Sequence, residues 1–195
     1  MIYVMRKIKG ILGVFCSLLL FTGYTHGQSV YPGFPEKFDT QIEKDNYKDT
    51  ELQLNTGLWR LKGVKLVMKK WGIEVADDGT KGLMFQGNST RLFVAEMKFD
   101  LPDGASKVSV MVSSAGQDPS CKWILQASTD GGNKWKRISN EVLTDNKTPK
   151  EETFNVNIKG PVRFRIMKLG LGNAKEDPSI ENGRLVIDNF TVYKK

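Results

Sequence analysis

Strict alternation of apolar residues with other residues is the feature that most constrains how this 195-residue chain folds. Val108, Val110 and Val112 alternate with Lys107, Ser109 and Met111, and the ranges 154–158 and 162–166 show the same alternation. A period of two, with β-branched and aromatic residues on one side, is typical of strands that bury one face. The chain beyond residue 27 shows little helical periodicity, so we expect short half-buried strands throughout it.

Gly, Asn, Asp and Pro separate these runs and mark tight turns. Further strands are predicted near residues 58–68, 71–76, 81–87, 91–99, 122–128, 135–139 and 184–193. The polar segments 140–152 and 170–183 are predicted to be surface loops. About ten short strands without a convincing helix predict an all-β fold, a two-sheet antiparallel jelly-roll sandwich.

Residues 1–27 have the features of an export signal peptide. A basic start precedes the apolar run 11–21, and Gly27 ends a short polar stretch that fits a cleavage site. The apolar run is shorter than the roughly 20 residues of a membrane-spanning helix, so no transmembrane segment is expected after cleavage. Lipidation at Cys16 is disfavoured because Val14 and Phe15, rather than small residues, precede it. We therefore expect an exported protein, located in the periplasm, on the outer surface or outside the cell.

Cleavage after Gly27 would leave 168 residues, enough for one domain with one core. We divide them into an extended lead-in over residues 28–37 and a single β-sandwich domain over residues 38–195. Loss of three basic residues with the signal lowers the formal charge from +7 to +4, and so mild an excess defines no partner.

Cleavage also removes Cys16 and His26, which leaves Cys121 as the only cysteine and no histidine. An intramolecular disulfide is then impossible. Serine triads, cysteine–histidine pairs and histidine-bound zinc are excluded as well, because each of them needs an imidazole. Cys121 is therefore expected to be a small core residue.

The stretch from Ser128 to Trp135, STDGGNKW, fits the pattern S-x-D-x-G-x-x-W of an Asp box. Asp130 is expected to accept hydrogen bonds from turn amides. Gly131 and Gly132 would supply the positive φ of a tight hairpin, with the tryptophan ring folded over the turn. We interpret the motif as structural, because one copy in 168 residues does not make a sialidase-like propeller.

Further stretches accompany this motif in a fixed order: FPEKFDT at 34–40, TGLW at 56–59, VRFRI at 162–166 and LVIDNFTVYK at 185–194. The chain resembles secreted jelly-roll modules of Bacteroidetes-type bacteria, similar to cleaved-adhesin, choice-of-anchor and MAM-type domains. The resemblance covers nearly the whole chain after the signal. It implies a concanavalin- or galactose-binding-like β-sandwich that serves adhesion or glycan binding without catalysis.

The same resemblance implies a structural calcium ion between the early segment and the last strand. The matching positions are Asp39 and Asp188, with Glu36 and Asn189 nearby. Calcium takes six to eight oxygen ligands, which carboxylates and carbonyls supply. The alternative is that both aspartates accept hydrogen bonds from amides at strand ends, and the lack of a dense acidic loop favours it.

Three residues are candidates for contact with a glycan. Trp71 is the tryptophan expected to be exposed, where its ring face would stack on a sugar, although core packing is the usual role of tryptophan. Arg163 and Arg165 lie opposite the apolar face of their strand and would form a basic stripe with Lys159 and Lys168, suited to a sulfated or carboxylated polymer. The alternative is an ordinary solvated sheet face. No nucleic-acid motif accompanies these residues, so nucleic acid is not expected as a partner.

The sequence therefore favours a non-catalytic binding module whose partner is a polysaccharide, a surface glycan or a cell-envelope protein. One alternative is a structural or assembly protein of the envelope that recognises another protein. Another is a small jelly-roll glycoside hydrolase or lyase, which needs two carboxylates about 5–10 Å apart. Glu43 and Asp45 have suitable spacing but precede the first clear strand.

Overall fold

The computed structural model describes residues 28–68, 81–174, 176–177 and 179–195. Within these ranges the chain forms twelve strands and no helix. The predicted strand over residues 71–76 and the candidate Trp71 lie outside the described residues, as does the predicted signal peptide over residues 1–27. No helix that could span a membrane occurs in the part of the chain that is described.

The strands are β1 (Thr50–Gln53), β2 (Leu58–Lys62), β3 (Val64–Met68), β4 (Lys81–Phe85), β5 (Phe93–Met97), β6 (Ala105–Ser114), β7 (Cys121–Ser128), β8 (Lys136–Arg137), β9 (Val142–Thr144), β10 (Lys150–Ile158), β11 (Arg163–Lys168) and β12 (Leu185–Tyr193). They form two antiparallel sheets. The seven-stranded sheet has the order β1-β2-β5-β11-β7-β8, with β9 also paired to β7, and the five-stranded sheet has the order β10-β6-β12-β4-β3. The predicted all-β two-sheet sandwich is confirmed.

Two local predictions were wrong. Residues 58–68 form two strands, because the chain bends at Gly63, with a φ of 67°, and passes from the seven-stranded to the five-stranded sheet; a Cβ at this position would lie 1.8 Å from the Phe93 ring. Residues 140–152 contain β9 and the beginning of β10 rather than a loop. The beginning of β10 is polar because this strand lies at a sheet edge, and β9 is only three residues long, so neither stands out in the sequence although their backbones pair with β6 and β7.

The core lies between the sheets and is centred on aromatic residues from distant parts of the chain. Trp59 is 1% exposed and meets the rings of Phe38 and Phe190 edge-on, with centroids 5.8 and 5.5 Å away. Its indole N–H donates to Thr56, whose hydroxyl donates to the buried carboxylate of Glu36. The early segment, the TGLW stretch and the last strand therefore meet in one cluster.

The segment that precedes β1 packs on the five-stranded sheet. Glu36 exchanges backbone hydrogen bonds with Phe190 of β12. Further along, the Lys44 ammonium donates to three carbonyl oxygens and holds a short loop against β3. Tyr47 of this loop packs against Met84 and Val186, which point away from the main core. Part of the outer face of the five-stranded sheet is therefore covered by the chain itself.

Candidate functional site

A row of polar side chains crosses the outer face of the seven-stranded sheet. Its members are directly opposite one another in register on six strands, so their side chains share one face. They are Glu51, Arg60, Glu96, Arg165, Gln126 and Arg137, in the order β1, β2, β5, β11, β7 and β8. Neighbouring strands are about 4.8 Å apart, so the row is about 24 Å long. We call it the polar row.

Ion pairs and hydrogen bonds hold the centre of the polar row in place. The Glu96 side chain is only 6% exposed and lies 3.4 Å from the Lys98 ammonium and 3.6 Å from the Arg165 guanidinium. Arg165 also donates to Gln126 at 2.7 Å. Burial lowers the pKa of Arg165, although the nearby Glu96 carboxylate opposes that shift. The guanidinium remains charged under all ordinary conditions and is fixed by its neighbours.

The polar row is more exposed toward its two ends, near Arg60 and at Arg137. Arg60 makes a two-pronged contact with Asp49, at 2.9 and 2.6 Å, which lowers the pKa of Asp49 and raises that of Arg60. At the other end Arg137 lies 3.9 Å from Glu141, and both side chains are 46% exposed. Arginines therefore alternate with carboxylate or amide side chains across the row, and each of its arginines has a carboxylate within 4 Å.

The structure changes the interpretation of the predicted basic stripe. Arg163 and Arg165 do lie on the outer face, but each has an acidic partner, with Arg163 2.6 Å from Asp100. Lys168 was wrongly assigned to the stripe. It is fully buried on the inner face of β11, because it is an even number of residues from Phe164 and Ile166. The outer face is therefore a network of paired charges rather than a basic surface.

The turn at 128–135 has the local structure expected from its sequence. Gly131 and Gly132 have φ values of 72° and 90°. Asp130 accepts the Lys134 amide at 2.9 Å, a hydrogen bond that is the main cause of its lowered pKa. The Trp135 indole N–H donates to the Gly132 carbonyl at 3.0 Å.

Trp135 also makes a contact outside the turn, which the sequence did not reveal. Its ring lies 4.2 Å from the guanidinium carbon of Arg165, so the turn places an aromatic side chain beside the polar row. The ring is partly exposed. Sequence reasoning assigned this tryptophan only to the turn, because its contact with β11 depends on tertiary structure. It is the aromatic residue of the candidate site.

A cleft of about 370 Å³ opens near the β1–β2 end of the same sheet. The turn at Gly63, the loop between β4 and β5 and the segment before β1 form its walls. Backbone hydrogen bonds fix the floor: the Gly63 amide donates to Tyr47 and its carbonyl accepts from Gln86. Three basic side chains line the cleft with one carboxylate, and these are Lys48, Lys62, Arg91 and Asp49. Sequence reasoning did not find this cleft, since its walls come from three distant segments.

Buried hydrogen bonds around Asn182 hold the loop wall of this cleft in place. Asn182 is fully buried and donates to the carbonyls of Ser89 and Gly172, at 2.9 and 2.7 Å. Its side-chain oxygen accepts from the Lys168 ammonium. Burial lowers the pKa of Lys168 to about 8 and raises the pKa of the neighbouring Cys121 thiol to about 12. Cys121 is fully buried, as expected of a core residue.

The two predicted calcium ligands lie in different environments. Asp39 is exposed and accepts the Lys81 amide at 2.9 Å, whereas Asp188 is 1% exposed and accepts the Asn189 amide at 2.7 Å. Glu36 accepts backbone amides with both carboxylate oxygens. Among the described residues no group of three or more His, Cys, Asp or Glu side chains is placed to hold a metal ion. These contacts fit the strand-end alternative, and the calcium site stays a prediction.

The residues considered for a hydrolase lie away from the sheet face. Glu43 and Asp45 are both exposed and precede β1. They therefore belong to the segment that packs near β3 rather than to the polar row. The carboxylates that do lie on the face, such as Glu96, are engaged in ion pairs with basic neighbours.

No protein-family model matches the chain, and no curated protein matches it. Similar solved structures include the module TmCBM61 in complex with β-1,4-galactotriose, with 19% identity, a TM-score of 0.49 and coverage of 70% of this chain and 88% of that one. The tandem CBM22 domain of Paenibacillus barcinonensis Xyn10C has 9% identity and a TM-score of 0.48, covering 87% of this chain and 47% of that one. The family 11 carbohydrate-binding module of Clostridium thermocellum Lic26A-Cel5E has 12% identity and a TM-score of 0.44, covering 87% and 96%.

Proposed function

We propose that this protein is a non-catalytic carbohydrate-binding module that holds an uncharged stretch of polysaccharide along its polar row. The observation that carries the proposal is the register of six polar side chains across one sheet face, of which all but Glu96 are at least partly exposed. Sugar hydroxyls both donate and accept hydrogen bonds, and the row alternates arginine donors with carboxylate and amide acceptors. A row about 24 Å long suits an extended chain better than a compact ligand.

The charge pattern favours a neutral glycan on this face. A sulfated or carboxylated polymer would need unpaired cations, but Arg60, Arg163 and Arg165 each have a carboxylate partner. A polyanion would have to displace those carboxylates, or lie beside them at an electrostatic cost. An uncharged chain can instead bind the outward lone pairs and N–H groups without breaking the ion pairs.

The side chains at the centre of the polar row are already held in position, which favours ligand binding there. Arg165 is held by Glu96, Gln126 and the Trp135 ring, so it loses little conformational freedom when a ligand arrives. The exposed part of Trp135 lies at the β7–β8 end of the row and offers an apolar surface to a sugar ring. The face therefore combines fixed polar groups with one aromatic contact.

The experiment is affinity electrophoresis and calorimetry on a panel of soluble neutral polysaccharides, including a galactan, a xylan and a mixed-linked glucan. Arg60→Ala, one strand from the β1 end of the row, and Arg137→Ala, at the β8 end, should each weaken binding about three- to tenfold, the effect of about 0.5–1.5 kcal/mol per lost hydrogen bond. Lys136→Ala is the matched control, because Lys136 is exposed on the same strand as Arg137 but is not in the row.

The two ends of the row make the result decisive. Equal losses at both ends with an unchanged Lys136 variant would support an extended ligand. Binding that survives both arginine changes would reject the polar row as the ligand face. Binding only to sulfated or uronate-rich polymers would contradict the choice of a neutral chain.

We also propose that the protein works outside the cytoplasm as a secreted jelly-roll module of the cleaved-adhesin type. The support is the signal-like sequence of residues 1–27 and the order of the short motifs around Trp59 and the last strand. Polysaccharide outside the cytoplasm would then be the accessible ligand.

A further inference from the structure

The cleft beside the Gly63 turn differs from the polar row in its charge. Lys48, Lys62 and Arg91 line it, and all three residues are exposed. The one carboxylate in its wall, Asp49, directs both oxygens to Arg60 on the sheet face, at 2.9 and 2.6 Å. The negative charge in the cleft is therefore largely neutralised from outside it.

The cations of the cleft have few competing partners. Within the described ranges the side chains of Lys48, Lys62 and Arg91 make no hydrogen bond or close ion pair, although the charge of Lys62 contributes to the lowered pKa of Asp49. The nearby Lys44 adds a fourth positive charge behind the wall, where its ammonium donates only to carbonyl oxygens. Three exposed cations around one concave space attract an anion that enters it.

The rest of the lining combines aromatic and neutral polar residues. Tyr47 and Phe93 are the aromatic residues, although the Tyr47 ring also packs against Met84 and Val186 and has the Lys65 ammonium 5.3 Å from its centroid, and Gln86 and Ser89 supply neutral polar groups. A volume of about 370 Å³ lies near the lower end of the size range of small-molecule pockets. Such a space suits one charged ring of monosaccharide size, not a long chain.

We infer that this cleft is a second ligand site, which binds an acidic monosaccharide unit through its carboxylate. Arg91 is the residue suited to a two-pronged contact with a planar carboxylate, and Lys62 adds a second positive charge to the lining. Gln86 and Ser89 are the neutral polar residues within reach of the ring hydroxyls, and Phe93 and Tyr47 are the apolar residues of the lining. The site is separate from the polar row and does not depend on a glycan being bound there.

The test uses the full exported protein, labelled with ¹⁵N, and free methyl galacturonoside as the probe. Amide shifts of Gly63, Gln86 and Ser89 report on the cleft, and shifts of Gln126 and Arg137 report on the polar row. Methyl galactoside is the uncharged control, and acetate and sulfate are the anions without a sugar ring. Arg91→Gln and Lys62→Gln remove one cation each, and Lys134→Gln and Lys159→Gln remove exposed cations elsewhere.

The uronate should shift the cleft amides with a dissociation constant about tenfold or more below those of methyl galactoside, acetate and sulfate. Each cleft variant should weaken uronate binding about tenfold and leave the melting temperature unchanged, whereas the two control variants should bind as the unchanged protein does. Equal binding of the neutral galactoside would overturn the role of charge. Equal binding of acetate or sulfate would reduce the cleft to a nonspecific anion site, and unaffected binding in both cleft variants would place the ligand elsewhere. Since the two sites have separate reporter amides and variants, failure of one proposal leaves the other testable.

Discussion

Replacement of the buried Lys168 should change how the stability of the fold depends on pH. Lys168 is fully buried, and its ammonium donates to the side-chain oxygen of Asn182. Burial lowers its pKa from 10.5 to about 8. At 1.36 kcal/mol per pKa unit, that fall corresponds to a difference of about 3 kcal/mol between the charged and neutral forms in the folded state.

The direction of the pH effect depends on whether the folded or the unfolded chain keeps the proton on Lys168. Below about pH 8 both the folded and the unfolded chain carry the proton on Lys168, so this residue contributes no pH dependence. Between about pH 8 and 10.5 the unfolded chain keeps the proton while the folded chain has lost it. The unfolded state then binds more protons, and the free energy of unfolding rises with pH by up to about 3 kcal/mol.

Urea unfolding at pH 7, 8, 9 and 10 would measure this effect in the unchanged protein and in Lys168→Met. The methionine keeps the volume but leaves the Asn182 oxygen without its donor, a cost of about 1–3 kcal/mol that does not vary with pH. The stability difference between the two proteins should therefore move in favour of lysine as the pH rises. If the free energies of unfolding of the two proteins changed in parallel between pH 7 and 10, the buried Lys168 would not be the source of the pH dependence.

Cys121 needs a control, because its pKa is raised from 9.0 to about 12 by burial. The unfolded thiol loses its proton first, so Cys121 makes the fold less stable as the pH rises above about 9, opposite to the effect of Lys168. Repeating the comparison in a Cys121→Ala background removes that contribution. The pH-dependent difference due to Lys168 should remain.

Four further predictions concern the turn, a buried carboxylate, calcium and export. Gly131→Val should lower the free energy of unfolding by about 1 kcal/mol or more, because φ is positive there, although a Cβ would meet no atom within 4 Å. The melting temperature should fall by about 2–4 °C for each kcal/mol lost. Asp130→Ala should lower the melting temperature and leave glycan binding unchanged. Glu36→Gln should cost about 1–3 kcal/mol in urea unfolding, since an amide cannot accept at both positions where the carboxylate does. A calcium ion at Asp39 and Asp188, if present at a hundredfold excess over its Kd, contributes about 2.7 kcal/mol, so EDTA should lower the melting temperature, and an unchanged curve would leave both as strand-end carboxylates. Mass spectrometry of the exported protein should find it beginning at residue 28, and a chain that retains residues 1–27 would contradict the signal peptide.

The sequence determined which side of each strand faces the core. Alternation put Phe164 and Ile166 inside and Arg163 and Arg165 outside, and the structure agrees. The same rule places Lys168 inside, and its charge led to the wrong assignment. Tertiary structure makes the inner position tolerable by supplying Asn182, which is 14 residues away in the sequence. The positive φ of the turn glycines was likewise predictable, because a tight turn is a local structure.

The polar row and the cleft were decided by tertiary structure alone. Arg60, Glu96, Arg165 and Gln126 are far apart in the sequence, and only the pairing of β2, β5, β11 and β7 aligns them. The pairing of Arg163 with Asp100 likewise replaced a predicted basic stripe by a balanced face. The alternation of side chains along one strand is set by the local backbone and can be read from the residues in order. Register between strands depends on long-range hydrogen bonding and core packing, so the neighbours of a surface residue become known only when the whole sandwich is assembled.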